Sequence, residues 1–124
     1  MSLIEIFGII IIHWIADFIL QTDKQAKGKS SSWKDLLSHT FYYSLFWMFC
    51  GVAFSGWFDL KLSVLFCLIT FTAHTITDYF TSRLNSKLWK DGKTHLFFVS
   101  IGFDQILHYA QLFVSYYILF NPQQ

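Results

Sequence analysis

The residues with the most chemical potential are histidines and aspartates set inside apolar sequence. His13 and Asp17 lie four apart in His13-Trp14-Ile15-Ala16-Asp17-Phe18-Ile19-Leu20-Gln21, and His74 and Asp78 repeat the spacing. Asp104 and His108 present it reversed, and His39 adds a single imidazole. On a helix, positions i and i+4 share a face, so each pair offers two side chains from one wall. Imidazole and carboxylate together are ligands for zinc, manganese or iron. The same logic underlies His-Glu-x-x-His in zinc proteases. Seven candidate ligands exceed what one tetrahedral ion uses. They suit either two ions with bridging carboxylates or one ion with a separate acid/base carboxylate. The reading expects His13, Asp17, His74, Asp78 and His108 as ligands. His39 and Asp104 follow as further ligands or as an acid/base pair. Gln21, Gln105 and nearby threonines are expected to orient the imidazoles.

Those residues need elements to hold them, and composition says which. Of 124 residues, 54% are hydrophobic and 21% aromatic, while 14% are charged and one is proline. Soluble domains carry roughly 25% charged residues. Four apolar stretches, at about 2–21, 36–56, 62–81 and 95–120, are each long enough to cross a bilayer, which takes about 20 residues as a helix. Only helices satisfy the backbone within lipid in stretches of this kind. The expected fold is all-α: a single polytopic domain over 1–124, with four transmembrane helices in a bundle. The first stretch lacks a basic leader and a small-residue cleavage site, so it reads as a span and not as a signal peptide. No basic stripe interleaved with aromatics points to nucleic acid. Cys50 and Cys67 form neither a disulfide framework nor a metal knuckle.

Charge assigns the sides. The first connection, about 22–35, holds Lys24, Lys27, Lys29 and Lys34; the third, about 82–94, holds Arg83, Lys87, Lys90 and Lys93. The second has Gly56 and Asp59 with Lys61 alone. The positive-inside rule then places connections one and three in the cytoplasm and both termini outside, as in a bacterial inner membrane. With about 1.5 Å rise per residue, the His/Asp groups all fall in the cytoplasmic half or near the midplane. On the fourth span Asp104, His108, Gln111 and Ser115 form a polar seam; on the third Thr70, His74, Asp78 and Thr81 do the same. Trp33, Trp57, Trp89 and Tyr116-Tyr117 stand near span ends, where amphipathic rings favour the interface.

A lone membrane histidine is more often interhelical hydrogen-bond glue than a ligand. A mid-span aspartate is harder to explain that way: Asp104 costs about 2.5–3.5 kcal/mol on insertion scales and wants a cation, a proton or a water cavity. His95 beside Lys93 reads as interfacial. Lys24 and Arg83 could grip a phosphate or lipid headgroup, although ordinary positive-inside charge is the favoured explanation.

The motifs His13-x-x-x-Asp17-Phe18-x-x-Gln21-Thr22, His39, His74-x-x-x-Asp78 and Phe103-Asp104-Gln105-x-x-His108 resemble a family of small bacterial and phage-encoded integral membrane proteins classed as a domain of unknown function. That resemblance covers nearly the whole chain. It implies a polytopic helical membrane protein whose His/Asp residues belong together, and it supplies no activity. More loosely, the pattern is similar to bacterial membrane-bound metal-dependent hydrolases, by ligand type.

The leading expectation is a membrane-embedded, metal-dependent hydrolase acting from the cytoplasmic side on a lipid-linked or phosphorylated substrate. It would carry one or two divalent ions, zinc first and manganese or iron next. A zinc ion lowers the pKa of its water to about 7, giving a nucleophile at neutral pH. Substrate would enter sideways from the inner leaflet, its head held by lysines of the first and third connections. The rival reading is a proton- or metal-ion-conducting bundle, in which the seam is a relay. A small accessory subunit is a third reading, and association into homo-oligomers is compatible with all of them.

Overall fold

α1 (Leu3–Trp14) starts at a capping box: the Ser2 hydroxyl accepts from the Glu5 amide, and the Glu5 carboxylate accepts from the Ser2 amide. This satisfies two of the amides that a helix start leaves free. The computed structural model describes residues 1–53 and 60–120. After α1 come a π-helical turn (Ile15–Ile19), a short α2 (Asp23–Gly28), α3 (Trp33–Ala53), α4 (Leu60–Lys90) and α5 (Thr94–Phe120). Among the described residues there is no strand. The end of the expected second span at 54–56, Trp57, and the second connection with Gly56 and Asp59 lie outside the described residues.

Side-chain pairs between helices give the packing. His13 meets Tyr43, while Trp47 meets Phe66 and His39 meets His74, so α3 runs antiparallel to α4. Thr70 meets Gln111 and Asp78 meets His108, so α4 runs antiparallel to α5. His13 bonds Gln105 and Glu5 bonds Tyr116, which sets α1 antiparallel to α5. Short connections between helices favour this arrangement.

What the helices turn inward is unusual. His13, His39, His74, His108, Asp17, Asp78 and Asp104 are all buried, together with Thr40, Ser44, Ser63, Thr70 and Ser115. A smaller apolar core of Ile9, Ala16, Tyr43, Trp47, Phe66, Leu112 and Tyr116 lies on the other side of them. Ile4, Phe7, Phe49, Leu68, Phe80, Phe98, Ile106 and Ile118 are instead exposed. Polar-in, apolar-out inverts the arrangement of a water-soluble domain.

Among the described residues two helices, α4 and α5, are long and apolar enough to cross a membrane. The first expected span is divided by the π turn. α3 has the length, at 21 residues, but Ser38, His39, Thr40 and Ser44 dilute its apolar content. Three of these four are the residues buried inside.

Two connections differ from expectation. The stretch 22–35 is not an open loop: Thr22 and Gln25 make a capping box that starts α2, and Ser32 accepts from the Asp35 amide at the start of α3. Gly28 is needed between them, because a Cβ there would overlap the Asp35 side chain. The third connection is not 82–94 but 91–93, since α4 runs on to Lys90. Nothing between Leu60 and Lys90 stops a helix. Gly92, at φ 68°, does: its amide bonds the Trp89 carbonyl at 3.1 Å and the Lys93 amide bonds the Leu88 carbonyl at 2.9 Å. This pair of bonds is the Schellman closure. Arg83, Lys87 and Lys90 therefore ride on a helical extension.

Candidate metal centre

The π turn is what brings Asp17 to the centre. Its signature bond, Leu20 amide to Ile15 carbonyl at 2.9 Å, spans five residues and winds the chain wider than an α-helix. His13, on the preceding α-helical turn, faces Tyr43 and Gln105, whereas Asp17 reaches His39 and His74 on the neighbouring helices. The expected shared face thus places the two side chains 3.8 Å apart but with different main partners.

Four residues from three segments converge first. His39 Nε2 lies 3.3 Å from His74 Nε2, 3.1 Å from Asp17 Oδ1 and 3.4 Å from Asp78 Oδ2. His74 Nε2 lies 3.5 Å from both of those oxygens. A tetrahedral ion bound at about 2.0–2.1 Å holds its ligand atoms about 3.3–3.4 Å apart. These five separations are therefore close to the edges of one coordination tetrahedron. Two imidazole nitrogens this close in a buried site also require a shared proton or a common cation.

A second group adjoins the first through Asp78. Asp78 Oδ1, the oxygen not used above, lies 3.2 Å from His108 Nε2, which is 3.3 Å from Asp104 Oδ1. The groups Asp17–His39–His74–Asp78 and Asp78–Asp104–His108 could each hold a metal ion, and every member is buried. The first offers four ligands and the second three, which leaves a place for water or substrate. The donor set, imidazole nitrogen with carboxylate oxygen, suits zinc, manganese or iron.

Surrounding groups fix this arrangement. The Gln105 amide nitrogen stands 3.4 Å from Asp17 Oδ2 and 3.2 Å from Asp104 Oδ2, so it donates to both carboxylates. Its oxygen must then accept, and it does so from His13 Nε2 at 2.8 Å. His13 Nδ1 is left to accept the Tyr43 hydroxyl at 2.7 Å. Both nitrogens of His13 are thereby engaged, and it stands in neither metal-ligand group. His74 is held differently: its Nδ1 has no hydrogen-bond partner among the described residues, and its ring packs between Tyr43 and His108, with centroids 4.0 and 4.1 Å away.

Three buried carboxylates face one lysine. Lys29 Nζ lies 2.8 Å from Asp78 Oδ2, its side chain only 17% exposed. Burial pulls its pKa down, but the Asp78 and Asp17 charges outweigh that and hold it above the ordinary lysine value. One ammonium cannot neutralise three carboxylates; protons on the neighbouring imidazoles or a bound cation supply the balance.

Of the remaining expected residues, Gln105 is central, as described. Gln21 sits at the wall of a cavity of about 590 Å3 that Asp17, Asp104 and Gln105 close at its inner end. Lys24 is apart, exposed and 4.0 Å from Asp35. Arg83 lies over the Tyr79 ring at 3.7 Å and donates to the Tyr79 carbonyl, while Trp33 stacks on the Tyr79 ring with centroids 4.9 Å apart. His95 is exposed, and Cys50 and Cys67 are free thiols. Two residues escaped the sequence reading. Tyr43 was within reach of it, being four residues from His39 on the same face. Lys29 was not, because nothing in a run of loop lysines marks the one that folds inward.

A family model described as "Protein of unknown function (DUF3307)" matches residues 6–124. No curated protein and no solved structure matches the chain.

Proposed function

Because the chain belongs to the DUF3307 family, whose description carries no activity, we propose its function from the centre itself. It is an integral membrane, metal-dependent enzyme, a hydrolase acting on a lipid-linked or phosphorylated substrate at the cytoplasmic face. The observation that carries this reading is the set of five ligand-atom separations of 3.1–3.5 Å among Asp17, His39, His74 and Asp78.

In this reading α1 with its π turn, α3, α4 and α5 are four spans of a bundle in a bacterial inner membrane. The apolar outer surface supports that, and so do the eight lysines and arginines in or beside the first and third connections against Lys61 near the second. Asp17, His39, His74 and Asp78 would hold one ion and Asp78, Asp104 and His108 a second, zinc before manganese or iron. An ion held by the three-ligand group would supply a Lewis acid for a carbonyl or phosphoryl oxygen and a more acidic water. The chain's own groups do the rest. Gln105 and His13 hold Asp17 and Asp104 in position, and Lys29 offsets charge beside an anionic substrate. His39 and Asp104 serve as ligands more readily than as a separate acid/base pair, since both stand inside ligand groups.

Elemental analysis of the purified protein tests this: zinc, manganese or iron should co-purify and be lost in His74→Ala. Protein that carries no metal and gains none on reconstitution overturns it.

One observation favours a second reading, conduction of protons or ions. Beyond the centre, Gln111 bonds Thr70 and Ser115, and Glu5 accepts from Tyr116 further out. Apart from the Glu5 carboxylate these groups are neutral, a sparse path next to the crowded centre. Flux across proteoliposomes that survives full metal loading would favour this reading over hydrolysis.

A further inference from the structure

The cavity beside the centre has a mixed lining. Its apolar part is largely aromatic: Phe18 from the π turn, Trp89 from the α4 extension, and Phe97, Phe98 and Ile101 from α5. Its polar part includes Gln21, Lys29, Asn85 and Ser86. Gln21 Oε1 and Asn85 Oδ1 are buried there with no hydrogen-bond partner among the described residues. Leaving such atoms unpaired costs about 1–3 kcal/mol each, so a guest that pairs them is favoured. A wholly apolar guest would strand these groups, and a wholly polar one would leave the aromatic lining uncovered.

The cavity has a side door and a charged neighbour. Phe18 and Phe98 line it and are also about half or more exposed on the outer surface, at 48% and 62%. The opening thus lies between the π turn and the first half of α5, on the apolar face of the bundle. Ser30 and Ser86 are shared with a smaller cavity of about 330 Å3, lined also by Arg83, Lys87 and Lys90. The larger cavity falls within the roughly 300–1,000 Å3 of small-molecule sites. That is enough for one apolar chain and its linkage.

We propose that this cavity binds an amphiphile with a single apolar chain and an anionic, hydrogen-bonding head, admitted from the bilayer between Phe18 and Phe98. The chain lies along Phe97, Phe98 and Ile101, and the linkage reaches Asp17 and Asp104 at the inner end. Lys29 and the basic residues of the adjoining cavity face the head. An acyl and an isoprenyl chain present the same chemistry to these walls. The inference deepens the enzyme reading by naming its substrate class, and it rests on the same membrane placement.

The test uses lysophosphatidylglycerol carrying a photoactivatable diazirine on its chain, with the protein as purified in lipid nanodiscs. Cross-links are mapped by mass spectrometry, and metal content is measured on the same sample. Label should concentrate on Phe97 and Ile101, the cavity-lining residues of α5 that are only partly exposed. Ala26→Trp, which fills the cavity from α2 without touching the His/Asp cluster, should lower it at least tenfold while outward-facing Phe103 and Ile106 stay labelled. In the unaltered protein, excess unlabelled lysophosphatidylglycerol or isoprenyl phosphate should compete, and whichever is stronger identifies the chain type. Label no stronger in the cavity than on Phe103 and Ile106, or competition by neither compound, overturns the inference. Cavity labelling in protein without metal would sink the enzyme reading and leave the binding site standing; metal without cavity labelling would do the reverse.

Discussion

Asp78→Asn and Asp104→Asn should separate the two halves of the centre. Asp78 gives one oxygen to the group with His39 and His74 and the other to the group with His108. Asp104 touches only the latter. Two ions per chain in the parent should therefore fall to one in Asp104→Asn, whereas Asp78→Asn should lose the ion beside His108 and hold the other more weakly, through Asp17, His39 and His74 alone. An ion present at 100 times its dissociation constant stabilises the folded state by about 2.7 kcal/mol, so two independent ions contribute about 5 kcal/mol. Asp104→Asn should lose about half of that and Asp78→Asn more than half. Asp78→Asn carries an added cost in the metal-free protein, because it takes the partner of Lys29 away. Breaking a fully buried pair costs about 3–5 kcal/mol. The cost here should fall below that range, since the Lys29 side chain is partly exposed and Asp17 remains near it. The assay is denaturant unfolding in detergent, with and without chelator, alongside metal counts for all three proteins. Equal metal in Asp78→Asn and the parent, or a parent indifferent to chelator, would refute the bridging geometry.

Lys29→Met should bind metal more tightly. A unit charge about 5 Å from a divalent ion repels it by about 6–7 kcal/mol at an effective dielectric constant near 20. Even a small residue of that after relaxation gives at least tenfold in affinity by competition titration, whereas unchanged affinity would show that Lys29 lies outside the ions' field. His13→Ala should keep its metal while losing stability, since its nitrogens engage Gln105 and Tyr43 and its removal leaves both partners unpaired; loss of both ions in this variant would make His13 a ligand after all. Acid competes with metal for the imidazoles of His39, His74 and His108, so occupancy should drop as pH is lowered and return on back-titration. Occupancy flat with pH would speak against imidazole ligands.

The spacing of His13, Asp17, His74, Asp78, Asp104 and His108 was enough to say that these residues belong together, because four-residue intervals on helices leave few other outcomes. The lengths of the apolar stretches located the long helices for the same reason. The boundaries followed other rules. α4 outlasts its hydrophobic stretch by nine residues' worth of sequence to Lys90, because a helix stops where Gly92 can turn, not where apolar residues end. The π turn left no pattern: Ile15–Ile19 has ordinary helical composition, and only its packing against α3 shows why Asp17 swings away from the partners of His13. Lys29 is the deepest omission. Four lysines in the first connection look alike, and the choice of one is made by the path of the chain between Gly28 and Trp33.

The most direct test of the account is an X-ray absorption spectrum of the metal-loaded protein at the edge of whichever ion co-purifies. Imidazole and carboxylate ligation predicts nitrogen and oxygen scatterers only, for zinc at about 2.0–2.1 Å, with the outer-shell pattern of imidazole rings. Sulfur at about 2.3 Å would instead implicate Cys50 or Cys67, and a spectrum of hydrated ion alone would mean that the clustered histidines and aspartates hold no metal.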